Sequence, residues 1–186
     1  MNILSPHIRG VCEADFALIA ALTNRYIART AIHFGYEPVT PDELAASWTK
    51  HAHHFPFLVA EIQAPGSPPR FAGYAKAGTW RERAAYQWTA EVGIYVEDDF
   101  HRAGVGRALY ARLLEELTRR GFHSAIGGVT LPNAPSVRLH ESLGFVHVGT
   151  VRQAGWKHGA WHDVAFYQIL LRDAHHRVTP AGPTTP

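Results

Sequence analysis

E-V-G-I-Y-V-E-D-D-F-H-R-A-G-V-G-R-A-L, residues Glu91 to Leu109, joins two unlike patterns through one tight turn. Val92 to Val96 has the β-branched and aromatic composition of a strand. Val105 opens a run in which Leu109, Leu113, Leu114 and Leu117 recur at helical spacing, the stripe of an amphipathic helix. Between the two lie Arg102, Gly104 and Gly106. Glycine takes φ > 0 without steric penalty and lets a ligand approach bare backbone. The first turn of a helix offers N–H groups without intrahelical partners and the positive end of the helix dipole. A strand feeding such a turn predicts a seat for a pyrophosphate.

Two familiar phosphate motifs are excluded. A P-loop requires Lys and then Ser or Thr after its last glycine, and no Lys follows here. A dinucleotide fingerprint requires Gly or Ala at the position held by Leu109.

The whole chain sets wider bounds. Its 186 residues fit one domain. Hydrophobic content of 46% with 18% charged residues is that of a soluble globular chain. A formal charge of +2 without a long basic run gives no reason to expect nucleic acid as a partner. The single cysteine, Cys12, excludes an intramolecular disulfide and suits a reducing compartment, so the expected location is the cytoplasm. The N-terminus has no basic segment leading into an apolar core, and no apolar run approaches the ~18 residues of a membrane helix. Neither a signal peptide nor a membrane span is expected.

Patterning outward from the opening stretch gives the element order. Ile8 to Cys12 reads as a strand, and Phe16, Ile19, Ala20, Leu22, Tyr26 and Ile27 trace a helix. Thr40-Pro41-Asp42-Glu43 opens a second helix, with Thr40 as cap and Pro41 in the first position, running to about His54. Strands follow over Phe57 to Gln63, Phe71 to Trp80 and Tyr86 to Val96. The long helix ends near Arg120, with Gly121 beyond it. A strand over His123 to Val129, a helix over Asn133 to Leu143 and strands over Phe145 to Trp156 and Ala160 to Leu171 complete the pattern. Consecutive strands without intervening helices predict an α/β fold whose sheet is mixed and mostly antiparallel, flanked by about four helices. The domain is expected over 1–173, with 174–186 a Pro/Thr-rich disordered tail.

Two side chains stand out as chemistry. Glu91 begins the strand that feeds the glycine turn, and a carboxylate in a half-buried cleft has its pKa raised and accepts a proton. Asn133, Ser136 and His140 fall at helical intervals of three and four, so one helix face carries an amide, a hydroxyl and an imidazole. The 13 histidines include a cluster at His51, His53 and His54, but with no Cys and no carboxylate partner in the pattern no metal site is expected. His162-Asp163 reads instead as part of a hydrogen-bonded hairpin around His158-Gly159.

Gly104 and Gly106 fit R/Q-x-x-G-x-G/A, with His101 where Gln or Arg is usual and Arg102 beside it. Further words are T-A-E at Thr89 to Glu91, Y-V at Tyr95-Val96 and L-P-N-x-P-S-V-R at Leu131 to Arg138. H-E at His140-Glu141, L-G at Leu143-Gly144 and K-H-G-x-W-H-D-V at Lys157 to Val164 complete the set. Together they resemble the phosphinothricin N-acetyltransferases, a branch of the GNAT superfamily, from Ile8 to about Leu171.

The resemblance implies the GNAT fold, acetyl-CoA as co-substrate and a small amino-acid-like amine as acceptor, in a chain that is commonly a homodimer. It implies Glu91 as general base and puts His140 where the wider superfamily often has a tyrosine that protonates the leaving thiolate. It implies that Ile94, Tyr95, Val96, Asn133 and Ser136 meet the pantetheine arm. Arg102, Ala103, Gly104, Val105, Gly106 and Arg107 would wrap the pyrophosphate. Arg81, Arg83, Tyr86 and Thr89 fall on the acceptor site, with Phe34 and Glu37 opposite. The arginines suit a carboxylate and a phosphinate, and disfavour cationic acceptors. Gly35-Tyr36 stands where herbicide-resistance enzymes carry Arg-Thr, and Val92-Gly93 where they carry small hydroxyl residues. Phosphinothricin, methionine sulfoximine and methionine sulfone are therefore equal candidates. The alternatives are another small amine, a protein N-terminus, or a non-catalytic acetyl-CoA sensor.

Overall fold

The computed structural model describes residues 5–171, so the expected tail at 174–186 lies outside the described residues. The elements are β1 (His7–Gly10), α1 (Phe16–Arg29), α2 (Pro41–His51), β2 (Phe57–Ile62), β3 (Arg70–Thr79) and β4 (Thr89–Val96). They continue as α3 (Val105–Arg119), β5 (Ser124–Thr130), α4 (Ala134–Ser142), β6 (Val146–Lys157) and β7 (Ala160–Leu170). One seven-stranded sheet runs β1-β2-β3-β4-β5-β7-β6. Every neighbouring pair is antiparallel except β4 with β5. This is the expected α/β arrangement of a mixed sheet with four helices.

Local chemistry explains the helix starts. At α2 the Glu43 amide donates to Thr40 Oγ1 at 3.2 Å, and the Thr40 amide donates to the Glu43 carboxylate at 2.8 Å. That reciprocal capping box, with Pro41 in the first turn, sets the boundary read from sequence. The helix stops at His51 rather than near His54, because the amides of His54 and Phe55 both turn back to the His51 carbonyl at 2.9 Å. Likewise β4 begins at Thr89, not Tyr86. Ala84–Tyr86 coils into a single 3₁₀ turn, the Tyr86 amide donating to Arg83 at 2.9 Å.

Two cores sandwich the sheet. On one face α3 lays down Val105, Leu109, Leu113 and Leu117, each fully buried, against Leu58, Ala60, Ala75, Ala90 and Val92. Burying each leucine contributes about 1.5–3 kcal/mol. On the other face α1 contributes Phe16, Ile19 and Leu22 over Val59 and Tyr74, with Trp48 of α2 packed alongside. Strand alternation assigns these faces: Tyr74 and Tyr95 are register partners and lie on the α1 side, whereas Ala75 and Ile94 lie on the α3 side.

The β6–β7 hairpin carries a buried ammonium. Lys157, 3% exposed, donates to the carbonyls of Ile27 at 2.6 Å and Gly35 at 2.8 Å, and to that of His33. All three donors are used, and the segment after α1 is clamped to the hairpin. His158 and Gly159 form the two-residue turn, with φ of 49° and 75°. His162 Nε2 lies 3.0 Å from the Lys157 carbonyl, and Asp163 accepts from the Gln153 amide at 2.8 Å where β6 bulges. The expectation that His162 and Asp163 serve the hairpin agrees with these bonds.

Lys157→Met keeps the length of the side chain and leaves three carbonyls without their donor. It should lower unfolding free energy by about 3 kcal/mol, measured as a reduced urea midpoint at unchanged slope. A change within about 0.5 kcal/mol, the range of ordinary surface substitutions, would contradict the clamp.

Candidate active site

The parallel pair β4–β5 holds for only four register pairs, Thr89↔Ser124 to Val92↔Gly127. Beyond them β4 stays paired with β3 as far as Val96, and β5 with β7 as far as Thr130. A wedge therefore opens in the middle of the sheet, edged by strand backbone that has no strand partner on that side. Glycines keep it clear: a Cβ on Gly93 would meet nothing within 4 Å. A cavity of about 60 Å³ sits in the wedge, lined by Gly93, Ile94, Tyr95, Asn133, Ser136 and His140 among others.

At the wide end lies the glycine turn. Arg102 and Gly104 both take left-handed backbone, with φ of 63° and 81°. Gly104 caps α3 with no side chain bonded to the first-turn amides, which leaves the N–H groups of Gly104 to Arg107 for another partner. Gly106 packs against the ends of Leu139, Ile94 and Val96, where a Cβ would be in contact but only slightly crowded by Leu139 at 3.3 Å. Ala103 tightens the turn, its amide donating to Phe100 at 3.3 Å. The unusual His101 points back: its Nε2 lies 3.2 Å from the Val96 carbonyl, beside the Tyr26 hydroxyl that donates to the same oxygen at 3.0 Å. Arg107 sends its guanidinium to the carbonyl and hydroxyl of Ser142 at 3.0 and 3.1 Å, tying α3 to α4, so only its backbone amide faces the turn. Unpaired strand backbone, clear glycines and an uncapped helix start together fit an extended amide-bearing arm ending in phosphates.

Glu91 opens into a second, larger cleft of about 600 Å³ on the α1 side of the sheet. Burial of its surroundings raises its pKa above the usual carboxylate range, while Arg81 and Lys76 act in the opposite sense. Val92, Gly93, Tyr95 and Gly128 line both spaces, so the cleft that Glu91 lines adjoins the wedge across these residues. Tyr95 sends its ring among Tyr26, Tyr74 and His33, and burial pushes its phenol up to about 12.

His140 has a setting its residue type did not announce. It is 2% exposed and packs against Tyr110, Phe145 and Tyr167. A Cβ on Gly127 would stand 2.4 Å from its Nε2, which puts the ring on the α3 side of β5, the face opposite Glu91. Nδ1 lies 2.8 Å from the Ser136 carbonyl, an acceptor only, so Nδ1 carries the proton. Nε2 is then an acceptor, 3.3 Å from the Tyr110 hydroxyl. Burial holds the ring neutral by lowering its pKa. A general acid needs a proton to release toward the cleft, and this pairing leaves none. Asn133 caps α4, its side-chain oxygen accepting from the Ser136 amide at 3.2 Å.

The acceptor residues expected from sequence are only partly gathered. Arg81 stacks on Trp80, 4.8 Å from the ring centroid, at the rim near Glu91. Arg83 and Tyr86 are exposed in the 3₁₀ turn and its cap, outside the cleft lining. Thr89 shares a 2.9 Å hydrogen bond with Ser124, at the closed end of the wedge. Phe34 leans on the last hairpin against Gly155 and His162, and Glu37 is exposed; neither lines the cleft. The cleft is instead lined by Lys76, His33 and Trp48, which sequence reading missed. Lys76 was visible as a lone charge in the otherwise apolar run Phe71 to Gly78, but only register places it beside Glu91.

With this geometry in view, comparison with known proteins is informative. The family model described as acetyltransferase (GNAT) domain matches residues 8–166. The chain is 43% identical over 161 residues to a phosphinothricin N-acetyltransferase of Streptomyces viridochromogenes, covering 87% of this chain and 85% of that one. It is 35% identical over 165 residues to an L-methionine sulfoximine/L-methionine sulfone acetyltransferase of Salmonella typhimurium, covering 88% and 94%. A solved putative acetyltransferase from Salmonella typhimurium, with its cofactor acetyl-CoA, superposes with a TM-score of 0.84 at 33% identity, covering 91% and 96%.

The pairing at His140 makes a spectroscopic prediction. Because its pKa is lowered, the folded ring stays neutral as pH falls through ~6.5, where a free imidazole is half charged. In that window the unfolded chain binds a proton that the folded chain does not, so the residue's contribution to stability declines as pH drops below ~6.5. Nitrogen-15 shifts of His140 should be those of the neutral Nδ1–H form at neutral pH and should change at a lower pH than those of a free imidazole. An imidazolium signal at neutral pH would contradict the assignment.

Proposed function

The chain belongs to the GNAT family of acetyltransferases, and from that premise we propose that it acetylates the α-amine of a small phosphinothricin-like amino acid with acetyl-CoA. L-phosphinothricin, methionine sulfoximine and methionine sulfone form the substrate class, as the names of its relatives suggest. The observation that carries the reading is Glu91, a carboxylate of raised pKa in the cleft, next in sequence to Val92, which lines both cleft and wedge.

Acetyl-CoA, when bound, supplies an acyl carbon already activated as a thioester. The first-turn amides of α3 and Arg102 hold the phosphates. The edge of β4 from Gly93 to Tyr95, with Asn133 and Ser136, holds the pantetheine arm, and the Val96 carbonyl beyond it is taken by Tyr26 and His101. Glu91 takes a proton from the acceptor ammonium, directly or through a water, and so frees the amine lone pair. Arg81 at the rim receives the acceptor carboxylate. His140, neutral and fixed between Ser136 and Tyr110, positions α4 against the wedge. A leaving thiol has a pKa near 8.5, so its departure needs little help from an acid. The shared walls of cleft and wedge support a reading in which both substrates are bound together and transfer is direct. A sensor without catalysis would have no use for a carboxylate of raised pKa in that cleft.

The reading extends to organisation. Residues 1–173 make one domain, and the chain works as a homodimer in the cytoplasm. A free, exposed Cys12 suits a reducing compartment. Trp156 and Trp161, 48% and 57% exposed on the last hairpin, are the aromatic area a second copy would cover.

Two measurements test the proposal. Acetyl-CoA at a hundred-fold excess over its Kd should stabilise the fold by ~2.7 kcal/mol and raise Tm by several degrees; a folded sample whose Tm does not move would remove the donor. Glu91→Gln should retain that shift and lose kcat by ~10²–10⁴-fold. In the wild type, kcat/KM should fall on the acid side through a pKa above the usual ~4.3 of a glutamate, since only the carboxylate accepts a proton. Unchanged turnover in the Gln variant would reduce Glu91 to a structural residue.

A further inference from the structure

Lys76 is an unspent cation. The run Phe71 to Gly78 around it is otherwise uncharged, with Ala72, Tyr74 and Ala75 buried. It pairs in register with Gly93 on one side and Phe57 on the other. The alternation Tyr74, Lys76, Gly78 puts it on the face that carries Glu91, which pairs with Gly78. The side chain ends in the cleft, reached by solvent, and its ammonium makes no hydrogen bond or ion pair with any described residue. Lys157 is the contrast: its three donors all end on carbonyls. The cleft walls desolvate the Lys76 ammonium enough to lower its pKa, with Glu91 opposing. Partly screened by the cleft walls yet reached by solvent, the ammonium is free to take a partner brought by a ligand.

The charges of the cleft say what would complete it. Glu91 is the carboxylate, and Lys76 and Arg81 are the two cations that act on it. His33 is held neutral by burial and by the positive charges of Lys157 and Lys76. An amino-acid acceptor brings an ammonium for Glu91 and a carboxylate for Arg81, and leaves Lys76 without a counter-charge. A third charge on the ligand, negative and on its side chain, makes the set neutral.

We propose that Lys76 is a specificity-determining residue whose ammonium binds an anionic group on the acceptor side chain. The site then selects amino acids with an acidic side chain, a phosphinate or a carboxylate, over neutral sulfones and sulfoximines of the same shape. This rests on the acetyl-transfer reading above and separates two acceptor types that reading leaves equal.

The test is a ratio. With the full chain and saturating acetyl-CoA, kcat/KM is measured for L-phosphinothricin and for L-methionine sulfone. The wild type should favour phosphinothricin. In Lys76→Met the ratio of the two values should fall ~10–100-fold, the worth of a hydrogen bond to a charged group, with the change in KM. Lys76→Arg should restore most of the ratio. Lys76 also acts on Glu91 through its charge, but that effect is common to both acceptors and cancels. A ratio unchanged in Lys76→Met, or a wild type that prefers the sulfone, overturns the assignment while acetyl transfer stands. If neither compound is acetylated although acetyl-CoA raises Tm, the acceptor class fails, and the role of Lys76 fails with it.

Discussion

Everything at the centre of this molecule follows from a parallel strand pair that stops after Val92 and Gly127. Parallel strands buried in a sheet normally continue until their helices end them. Here each strand goes on, but with its other neighbour. The His140 ring fills the space over Gly127, and Gly106 of α3 packs on Ile94 and Val96 from below the wedge. The parting exposes backbone polar groups that a closed sheet would satisfy internally, and such groups require partners when they are taken from water. The same parting sets a carboxylate on one face of the sheet next to a groove built from the other.

The cleft beside Glu91 is shaped from farther away. Its wall includes His33, on the segment that Lys157 holds by three carbonyls across more than a hundred residues of chain. Tyr74 adds a second tie, its hydroxyl 2.7 Å from that of Thr23, which itself donates to the Ile19 carbonyl. The aromatic group of Tyr26, Tyr74 and Tyr95 packs between these ties, behind Glu91. A buried ammonium is a demanding way to fasten a loop, because every donor must find an acceptor. In return it fixes one geometry.

Much of this was legible in the residues. The stripe from Val105 to Leu117, the cap at Thr40 and the hairpin at His158-Gly159 are local patterns, and each element formed where its pattern lay. The boundaries that differed, at Tyr86 and His51, were decided by turns whose hydrogen bonds run over three or four residues and leave no mark on periodicity. The site was legible where it is backbone, as at Gly104, and less so where it depends on register. Nothing in the helix spacing of His140 tells that its ring turns inward to Ser136 and Tyr110 rather than outward. Arg83 was expected at the acceptor because its loop matches the family's acceptor loop, and here it lies outside the cleft lining; Lys76 lines the cleft because strand alternation aims it there.

The brevity of the β4–β5 contact also has a mechanical meaning. At about 3.3 Å per residue, four pairs make a seam only ~10 Å long. On one side of it stand β1 to β4, on the other β5, β7 and β6. Within the sheet this short line is their whole contact, and at the open end Val96 and Thr130 share no bond; what holds the halves together is the core under α3, which packs Ala90 and Val92 with Ala125, Ala165 and Tyr167. Arg107, bridging α3 to Ser142 of α4, adds a polar tie between the halves on the same face as that core, so the opening in the sheet is stitched by helices rather than by strands.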